Sequence, residues 1–419
     1  NLGRRPLLPE WSTLILDEAH KLPEAACQMF GITLTAAEIH ELIRVLRRER
    51  YLLASENLEE AAGPVLRELA RPWDEDGTFS HFAPFLNRPN HTLELIQKQI
   101  GTILPHRTQR QLDQLRDKTA LFLQEQRDMI FYTAEDSHGG TMLCATAPNL
   151  TDQLRQTLWR QQKPMILTSG TLAVGEDFRR FKEATGLLTD SRVRESVSPS
   201  PFAYSRNCLM YVSRLPAHQG AGQYYDSLTA EIAALLDAAH GHALVLFTSY
   251  AAMSAVKERL REQDLAYPLF TLGRNAVHTT KQFKNTPGGV LLATGAAWEG
   301  FDFPGDCVSL LVIPRLPFPI PDALKEKERE QYPTLHSFLR GIVVPEMQIK
   351  LKQGFGRAIR LETDTCVVAI LDERAARDQR YWKDVLAALP EMPVTQDIHR
   401  VEAFIRSVKP DSYFREGAA

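Results

Sequence analysis

The chain has 419 residues, more than one hydrophobic core usually carries, and this length predicts two or three domains. Its 44% hydrophobic and 24% charged residues are typical of globular proteins and exclude a fibrous or largely disordered chain. A net charge of −3, from 49 basic and 52 acidic residues, gives no overall positive field for a polyanionic partner, so any such binding depends on local clusters.

The cysteine pattern and the apolar runs exclude further classes. The five cysteines are widely spaced and form no CxxC pair, which argues against a disulfide scaffold or a zinc knuckle. The longest apolar runs are far too short to cross a membrane, and no secretory signal pattern opens the chain. Because the chain begins with Asn1 rather than Met, we expect a fragment or a processed chain.

The first predicted element is a short apolar strand, S-T-L-I-L, that ends in Asp17-Glu18-Ala19-His20. Open α/β sheets bind their ligands at the carboxyl ends of strands. At such a place one carboxylate can hold Mg²⁺ through its water shell, and a second can orient the attacking water. We therefore assign the metal to Asp17 and the water to Glu18. The competing interpretation is an ordinary acidic helix N-cap.

Between residues 33 and 160 the periodicity becomes helical, rich in Leu, Glu, Gln and Arg, with Pro and Gly as interruptions. Strand-like segments at Met129–Thr133 and Thr141–Thr146 close this stretch. We expect a mainly helical insertion here. The strand pattern of the first α/β region resumes after Pro164 with M-I-L and the small hydroxyl residues that follow it.

After a polar linker at Ser191–Pro201, strand and helix patterns alternate to the end of the chain. This alternation predicts βαβ units and a second, mostly parallel sheet, so the expected fold class is α/β. The expected domains are a first α/β domain from 1–32 and 161–195, the helical insertion from 33–160, and a second α/β domain from 196–419. The predicted strands of the second domain are Cys208–Ser213, Ala243–Thr248, Gly289–Thr294, Val308–Ile313 and Cys366–Leu371.

Near the end of the chain, Gln353-Gly354-Phe355-Gly356-Arg357-Ala358-Ile359-Arg360 combines glycines with two arginines. The spacings of four and three predict that Gln353, Arg357 and Arg360 lie along one face of a helix. Arginines suit a transferring phosphoryl group because its charge spreads over three oxygens. Glycines are costly in a helix, so we expect a close approach to another element. A solvated basic helix end is the alternative.

Five phrases together resemble known motifs: LILDEAHKLPEAA, LTSGTL, LVLFTSY, LLATGAAWEGFDFPG and QGFGRAIR. In order and placement they are similar to motifs II to VI of superfamily 2 helicases, and more narrowly to the XPD/DinG branch. The helical insertion lies where that family carries its arch domain. The resemblance implies two RecA-like domains, the first incomplete here, that clamp ATP between them. It also implies 5′ to 3′ movement on single-stranded DNA and duplex unwinding in repair or replication.

The resemblance also assigns catalytic roles to single residues. Asp17 and Glu18 match the Mg²⁺-binding and water-activating acids, and His20 matches a coupling histidine. The nucleotide-sensing glutamine and the arginine fingers correspond to Gln353, Arg357 and Arg360. The implied cofactors are therefore ATP and Mg²⁺.

Further positions match motifs that sense the nucleotide or contact the nucleic acid. The positions that match nucleotide-responsive motifs III and V are Ser169, Gly170, Thr171, Gly295, Glu299, Gly300 and Asp302. Thr248 and Ser249 match phosphate-backbone contacts in motif IV. Basic residues of the insertion are expected to line the passage of single-stranded DNA. They are Arg44, Arg47, Arg48, Arg107 and Arg110, and a solvated helix face is the alternative for each cluster.

One family motif is absent from the sequence. The phosphate loop GxxxxGK[ST] needs a Gly-Lys pair, and the 419 residues contain none. In the family this loop precedes motif II, as do the cysteines of an iron–sulfur cluster, so we expect both only upstream and little ATP hydrolysis by the chain alone.

Two other functions stay open. The first is a nucleic-acid-binding module without motor activity, and the second is an ATP-dependent remodeller of RNA or protein. The DinG-like resemblance implies a cytoplasmic protein, and the expected partners are single-stranded DNA and duplex junctions. We further expect a monomer without a membrane partner.

Overall fold

The computed structural model describes residues 11–73, 78–124, 129–136, 139–147, 149–173, 175–215, 221–263, 265–273, 276–298, 300–303, 305–321 and 323–415. The strands β1 to β12 are Leu14–Leu16, Ile32–Leu34, Ile130–Glu135, Thr141–Thr146, Met165–Leu167, Cys208–Val212, Ala243–Leu246, Leu269–Thr271, Val290–Ala293, Leu310–Ile313, Cys366–Ile370 and Val394–Thr395. The helices α1 to α17 are Leu22–Phe30, Ala36–Arg48, Leu52–Leu69, Ala83–Ile100, His106–Gln124, Thr151–Thr157, Arg179–Thr185, Tyr204–Asn207, Ala221–Ala239, Tyr250–Glu262, Ala276–Lys284, Ala323–Glu330, Leu335–Phe338, Val344–Phe355, Trp382–Ala388, Ile398–Val408 and Asp411–Arg415.

The chain divides into two compact units. The first comprises Asn1–Thr168, Phe181–Val193 and Ile320–Phe338. The second comprises Ser169–Arg180, Arg194–Pro319 and Leu339–Ala419. The domain boundaries expected from the sequence stay predictions.

Most of the first unit is a helical bundle that packs on a small antiparallel sheet. Helices α2 to α5 form the bundle, and the sheet has the strand order β2-β4-β3. Helix α2 begins with a capping box, in which Thr35 Oγ1 accepts from the backbone N–H of Glu38 and the Glu38 carboxylate accepts from the backbone N–H of Thr35. Its apolar face, which includes Leu42 and Leu46, is fully buried in the bundle core.

The first unit also contains a two-stranded parallel pair that positions motif II. Leu14 lies opposite Met165 and Leu16 opposite Leu167 in β1 and β5. The pairing continues past the strand ends, because Ala19 N–H donates to the Thr168 carbonyl at 3.0 Å. The strand ends of motifs II and III are therefore hydrogen-bonded to each other.

Helix α12 belongs to the first unit although its sequence follows β10 of the second. It packs against β3, which is an edge strand of the three-stranded sheet. The helix is highly charged and carries the internal pair Lys327–Glu330 at 2.6 Å. The chain then continues through α13 and a π-helical turn at Leu339–Val343 into α14.

The second unit is built around a seven-stranded sheet with the order β12-β6-β11-β10-β7-β9-β8, and all of its pairings are parallel. Strands β6, β7, β9, β10 and β11 are buried along their whole length, as expected when helices cover both faces. Alternate residues of β6 enter opposite cores: Met210 packs with one cluster and Tyr211 with the other. The expected α/β fold class with a parallel second sheet is confirmed.

Two negative findings hold for the described ranges. None of their helices is long and apolar enough to cross a bilayer. Those residues also contain no group of three or more His, Cys, Asp or Glu side chains placed to hold a metal ion, and all five cysteines are free thiols.

Candidate active site

Motif II lies directly after β1, where the chain turns sharply. Glu18 adopts the left-handed conformation, with φ 49°, which is uncommon for a residue other than glycine. The Asp17 carboxylate accepts from the Glu18 backbone N–H at 2.9 Å. His20 Nδ1 lies 3.2 Å from the Glu18 carboxylate, and the Glu18 side chain is 63% exposed. Both acids thus face solvent at a strand end, as the sequence predicts.

The motif III residues follow β5 and form a small hydroxyl turn. Ser169 Oγ accepts from the Thr171 backbone N–H at 3.2 Å, and the two hydroxyls lie 3.3 Å apart. Thr171 is buried, whereas Gly170 is exposed and has open space where a side chain would be. The turn is therefore held by its own hydroxyl groups.

Motif IV lies at the end of β7, a central strand of the second sheet. Ser249 caps α10, because its Oγ accepts from the Ala252 backbone N–H at 3.2 Å. Thr248 is half-buried beside it. The next residue, Tyr250, is 65% exposed, which is unusual for a large aromatic side chain at the end of a buried strand.

Motif V follows β9 and is anchored by a tryptophan. Gly295 has φ 58°, a conformation that favours glycine, and opens a 3₁₀ turn that ends at Trp298. The Trp298 side chain is 1% exposed, and its Nε1 donates to the Phe247 carbonyl at 3.0 Å. Gly300 is exposed. Glu299, a predicted site residue, lies outside the described residues.

For motif VI the predicted helix face is wrong. Helix α14 ends at Phe355, so only Gln353 of the three predicted residues is helical, while Arg357 and Arg360 lie in the turns beyond it. After Phe355 the backbone tightens, because Arg357 N–H donates to the Gly354 carbonyl at 3.0 Å, and Asp364 Oδ2 then accepts from the backbone N–H groups of both Arg360 and Leu361, each at 2.8 Å. This local acceptor replaces the helical hydrogen bonds that the spacing argument assumed.

The glycine of motif VI makes the close approach that its position in a helix predicts. A Cβ atom on Gly354 would lie 2.7 Å from the Trp298 ring, closer than carbon atoms can approach. A Cβ atom on Gly356 would meet nothing closer than 3.4 Å. Only Gly354 is therefore required by packing, and the residue that requires it belongs to motif V.

Both motif VI arginines are held by motif V. Arg360 Nε lies 2.9 Å from the Asp302 carboxylate, and Arg357 Nη1 donates to the Phe301 carbonyl. We call these residues, with Trp298 and Gly354, the motif V–VI cluster. It presents guanidinium groups in defined positions at the carboxyl edge of the sheet, which suits binding of a phosphate group.

The five basic residues of the insertion differ in their partners. Arg44 lies 2.8 Å from Glu41, and Arg47 lies 2.6 Å from Glu59. Arg48, Arg107 and Arg110 are exposed. The Thr108 hydroxyl donates to the Glu49 carboxylate at 2.8 Å, which brings the start of α5 to the end of α2. The structure thus brings Arg48 and Arg107 to one end of the bundle.

Sequence reasoning missed several polar residues at the same sheet edge. Arg315 follows β10, and the buried Asp372 follows β11 and binds Arg374 at 2.7 Å. Burial raises the pKa of Asp372, but the hydrogen bonds and charge of Arg374 outweigh burial and lower it overall. The sequence did contain a signal for these residues, because an arginine follows each of the buried strands β10 and β11 within a few residues.

Comparisons with known proteins agree with the motif pattern. The family model of the helicase C-terminal domain matches residues 232–392. The ATP-dependent DNA helicase YoaA of Escherichia coli K12 is 29% identical over 96% of this chain and 66% of its own length. The ATP-dependent helicase DinG of Mycobacterium tuberculosis H37Rv is 28% identical over 96% of this chain and 63% of its own length. The chain thus spans slightly less than two thirds of these relatives.

Solved structures show the same fold. An XPD helicase structure covers 91% of this chain and 68% of its own chain, with a TM-score of 0.57 and 17% identity. The structure of Xpd4 from S. tokodaii covers 91% of this chain and 75% of its own, with a TM-score of 0.55 and 16% identity. At these identities the likeness concerns the fold alone.

Proposed function

We propose that this chain, an XPD/DinG-type superfamily 2 helicase by motif pattern, relatives and fold, is part of an ATP-driven motor that moves on single-stranded DNA. The observation that carries the proposal is the motif V–VI cluster, in which two arginines are fixed at a sheet edge by a separate motif. Fixed guanidinium groups cost little reorganisation when charge develops on a phosphoryl group. The relatives' names as ATP-dependent helicases support the same activity.

The motif II acids suit the metal and water roles. Asp17 offers an exposed carboxylate, the hard oxygen ligand that Mg²⁺ prefers, and Mg²⁺ sites often use only one or two carboxylates together with substrate phosphates. Mg²⁺, when bound, supplies positive charge next to the phosphate oxygens. Glu18 would orient and deprotonate the attacking water, and the contact between His20 and Glu18 would hold the carboxylate in place.

Motif VI would stabilise the charge of phosphoryl transfer. Arg357 and Arg360 would bind the phosphate oxygens, with Asp302 and the Phe301 carbonyl as positioning groups. Gln353 would sense the nucleotide from the last turn of α14. Removal of such an arginine costs about 10³-fold or more in turnover in phosphoryl-transfer enzymes.

Single-stranded DNA would bind the second sheet at Thr248 and Ser249, where hydroxyl groups and the free N–H groups of α10 attract phosphates. The basic end of the helical insertion would provide further phosphate contacts through Arg48, Arg107 and Arg110. Movement from 5′ to 3′ and a role in repair or replication complete the proposal and rest on the family resemblance.

The test is the ATPase rate of the protein translated from its complete reading frame, with and without single-stranded DNA. We expect DNA-stimulated turnover that Glu18→Gln abolishes while ATP binding persists, and that Arg360→Ala lowers without loss of DNA binding. Glu56→Gln, an exposed acid on α3, is the matched control and should behave as the unsubstituted protein.

Three results would redirect the assignment. Equal rates in Glu18→Gln and the unsubstituted protein would overturn the role of motif II. No turnover by the folded complete protein would favour a nucleic-acid-binding module. Stimulation by RNA rather than by DNA would favour an RNA remodeller.

A further inference from the structure

The carboxyl edge of the second sheet carries a set of arginines that none of the motifs includes. Arg214 follows β6, Arg374 follows β11 and Arg315 follows β10. These strands are consecutive in the sheet, and β10 is followed by β7, which carries Thr248 and Ser249. Neighbouring strands lie about 4.8 Å apart. The arginines, which we call the arginine row, therefore extend along the edge from motif IV.

Arg315 is exposed and rests on an aromatic ring. Its guanidinium lies 5.1 Å from the ring centre of Tyr224, which is buried at the start of α9. Burial raises the pKa of Tyr224, so the phenol stays neutral and presents its ring face to the cation. In the described part of the chain Arg315 forms no ion pair, so its positive charge is not neutralised by a neighbouring carboxylate.

Arg374 is held more rigidly. Its Nε and Nη2 both donate to Asp372, and the guanidinium lies 5.0 Å from the ring centre of Phe318. Among the described residues Nη1 has no hydrogen-bond acceptor within the chain, and the side chain stays 40% exposed. Asp372 neutralises part of its charge, but the planar group keeps a fixed orientation with donors left over.

Arg214 completes the row at the other end. Its Nε donates to Gln396 at 2.7 Å, a neutral partner that orients the group without cancelling its charge. The nearby acid Glu231 is already occupied, because it accepts from Tyr211 and Ser213. Two of the three cations therefore face solvent with their full charge.

We propose that the arginine row binds consecutive phosphates of single-stranded DNA and lengthens the nucleic-acid path of motif IV across β10, β11 and β6. The identity of the ligand rests on the proposed function. A row spread over three strands suits a polymer of phosphates better than one nucleotide, and guanidinium groups stacked on rings are already oriented. The exposed Tyr250 at the motif IV end provides a ring on which a base stacks.

The test is binding of a fluorescent oligothymidylate to the 419-residue chain without ATP, measured by anisotropy over a range of salt concentrations. Each lost phosphate contact lowers the slope of log K against log salt by about 0.7 for single strands. We expect that drop for Arg315→Gln and about 1.4 for Arg214→Gln with Arg315→Gln. Tyr250→Ala should weaken binding and leave the slope unchanged.

The control is Arg261→Gln, an exposed arginine in the last turn of α10, which lies at the opposite edge of the same sheet because α10 runs antiparallel to the strands. Slopes in the Arg315 variants equal to that of Arg261→Gln would overturn the arginine row and leave the proposed function intact. Absence of single-strand binding by the unsubstituted chain would overturn both. Because Arg214 and Arg315 are exposed, circular dichroism should show unchanged folding of these variants.

Discussion

The motif II loop and the motif V–VI cluster both follow parallel strands, but the fold holds them very differently. Asp17 and Glu18 are exposed after a strand of three residues in a two-stranded pair. Arg357 and Arg360 belong to a cluster built on the buried Trp298, which lies in the turn after β9 of the seven-stranded sheet. The comparison teaches that the arginines are oriented by contacts with a buried cluster, whereas the acids lie on an exposed turn and are oriented by contacts within that turn.

The largest expected effect is a difference in the free energy of unfolding between substitutions in the motif V–VI cluster and in the motif II loop. Trp298→Ala removes a fully buried ring and the hydrogen bond to Phe247, and should lower the free energy of unfolding of the second unit by about 3–5 kcal/mol. Asp17→Asn changes an exposed side chain and should stay within about 0.5 kcal/mol. Hydrogen exchange of the β7, β9 and β1 amides in urea measures the free energy of unfolding in both variants. Similar losses of stability in Trp298→Ala and Asp17→Asn would contradict the difference between the two regions.

A second effect concerns pH and the opposite edge of the second sheet. His242 is buried, stacks on Tyr413 at 4.3 Å and accepts from the Gly288 backbone N–H through Nε2. Its pKa is lowered from 6.5 to about 4, chiefly by burial; Asp306 opposes this shift, and Lys409 contributes to it. The unfolded chain therefore takes up the proton first as the pH falls.

Because the pKa of His242 is lower in the folded state than in the unfolded state, we expect full stability of the second unit above about pH 6.5. Its free energy of unfolding should fall by about 3 kcal/mol between pH 6.5 and pH 4. Urea unfolding at a series of pH values measures the loss. His242→Asn, which removes the titrating ring and tolerates the left-handed backbone at φ 45°, should flatten the profile in this range. An unchanged slope in this variant would assign the pH dependence to other groups.

The third effect tests the packing of motif VI on motif V. Gly354→Ala places a methyl group against the Trp298 ring and should cost about 1–3 kcal/mol, because the buried ring has little room to move. Gly356→Ala is the matched control and should be close to neutral, since its Cβ atom has room. Thermal unfolding compares the two variants. Equal midpoints would mean that the cluster is less tightly packed than the distances indicate.

The smallest expected effect on stability comes from the ion pair itself. Asp302 and Arg360 have side chains that are 64% and 35% exposed, so Asp302→Asn should lower the free energy of unfolding by less than about 1 kcal/mol. Its effect on the ATPase rate of the complete protein should be larger, because Arg360 loses its orienting partner. A change in stability above about 2 kcal/mol with an unchanged ATPase rate would make the pair structural only.

Strand positions in the second unit were predictable because each strand is a buried apolar run bounded by polar turns. Val290–Ala293 and Leu310–Ile313 lie within the predicted ranges. Strand β8 was not predicted, since its three residues are only half-buried and give no clear pattern. Strand β2 was also missed. It has only three residues, and its pairing partner β4 lies far along the chain, so the local sequence gives no sign of the strand.

The candidate site was predictable in its residues and not in its pairings. The motif strings singled out Asp302 and Arg360, but spacing along the chain carries no information about the contact between them. The helical face proposed for Gln353, Arg357 and Arg360 was wrong because α14 ends at Phe355, and the Asp364 carboxylate holds the backbone of Arg360 in a turn beyond it. Local propensity was overridden by a side chain that forms a new turn.

The chain returns from the second unit to the first through α12, and this return affects the order in which the two units fold during translation. Helix α12 packs against β3 but leaves the ribosome only after β10, so the first unit cannot be completed until most of the second sheet has been synthesised. Domains usually fold in the order of translation, and contacts between distant segments form slowly. Folding during synthesis must therefore interleave the two units. A nascent chain stalled at residue 319 would contain β6 to β10 but would lack α12, and it would also lack β11, the strand that joins β6 to β10 in the second sheet.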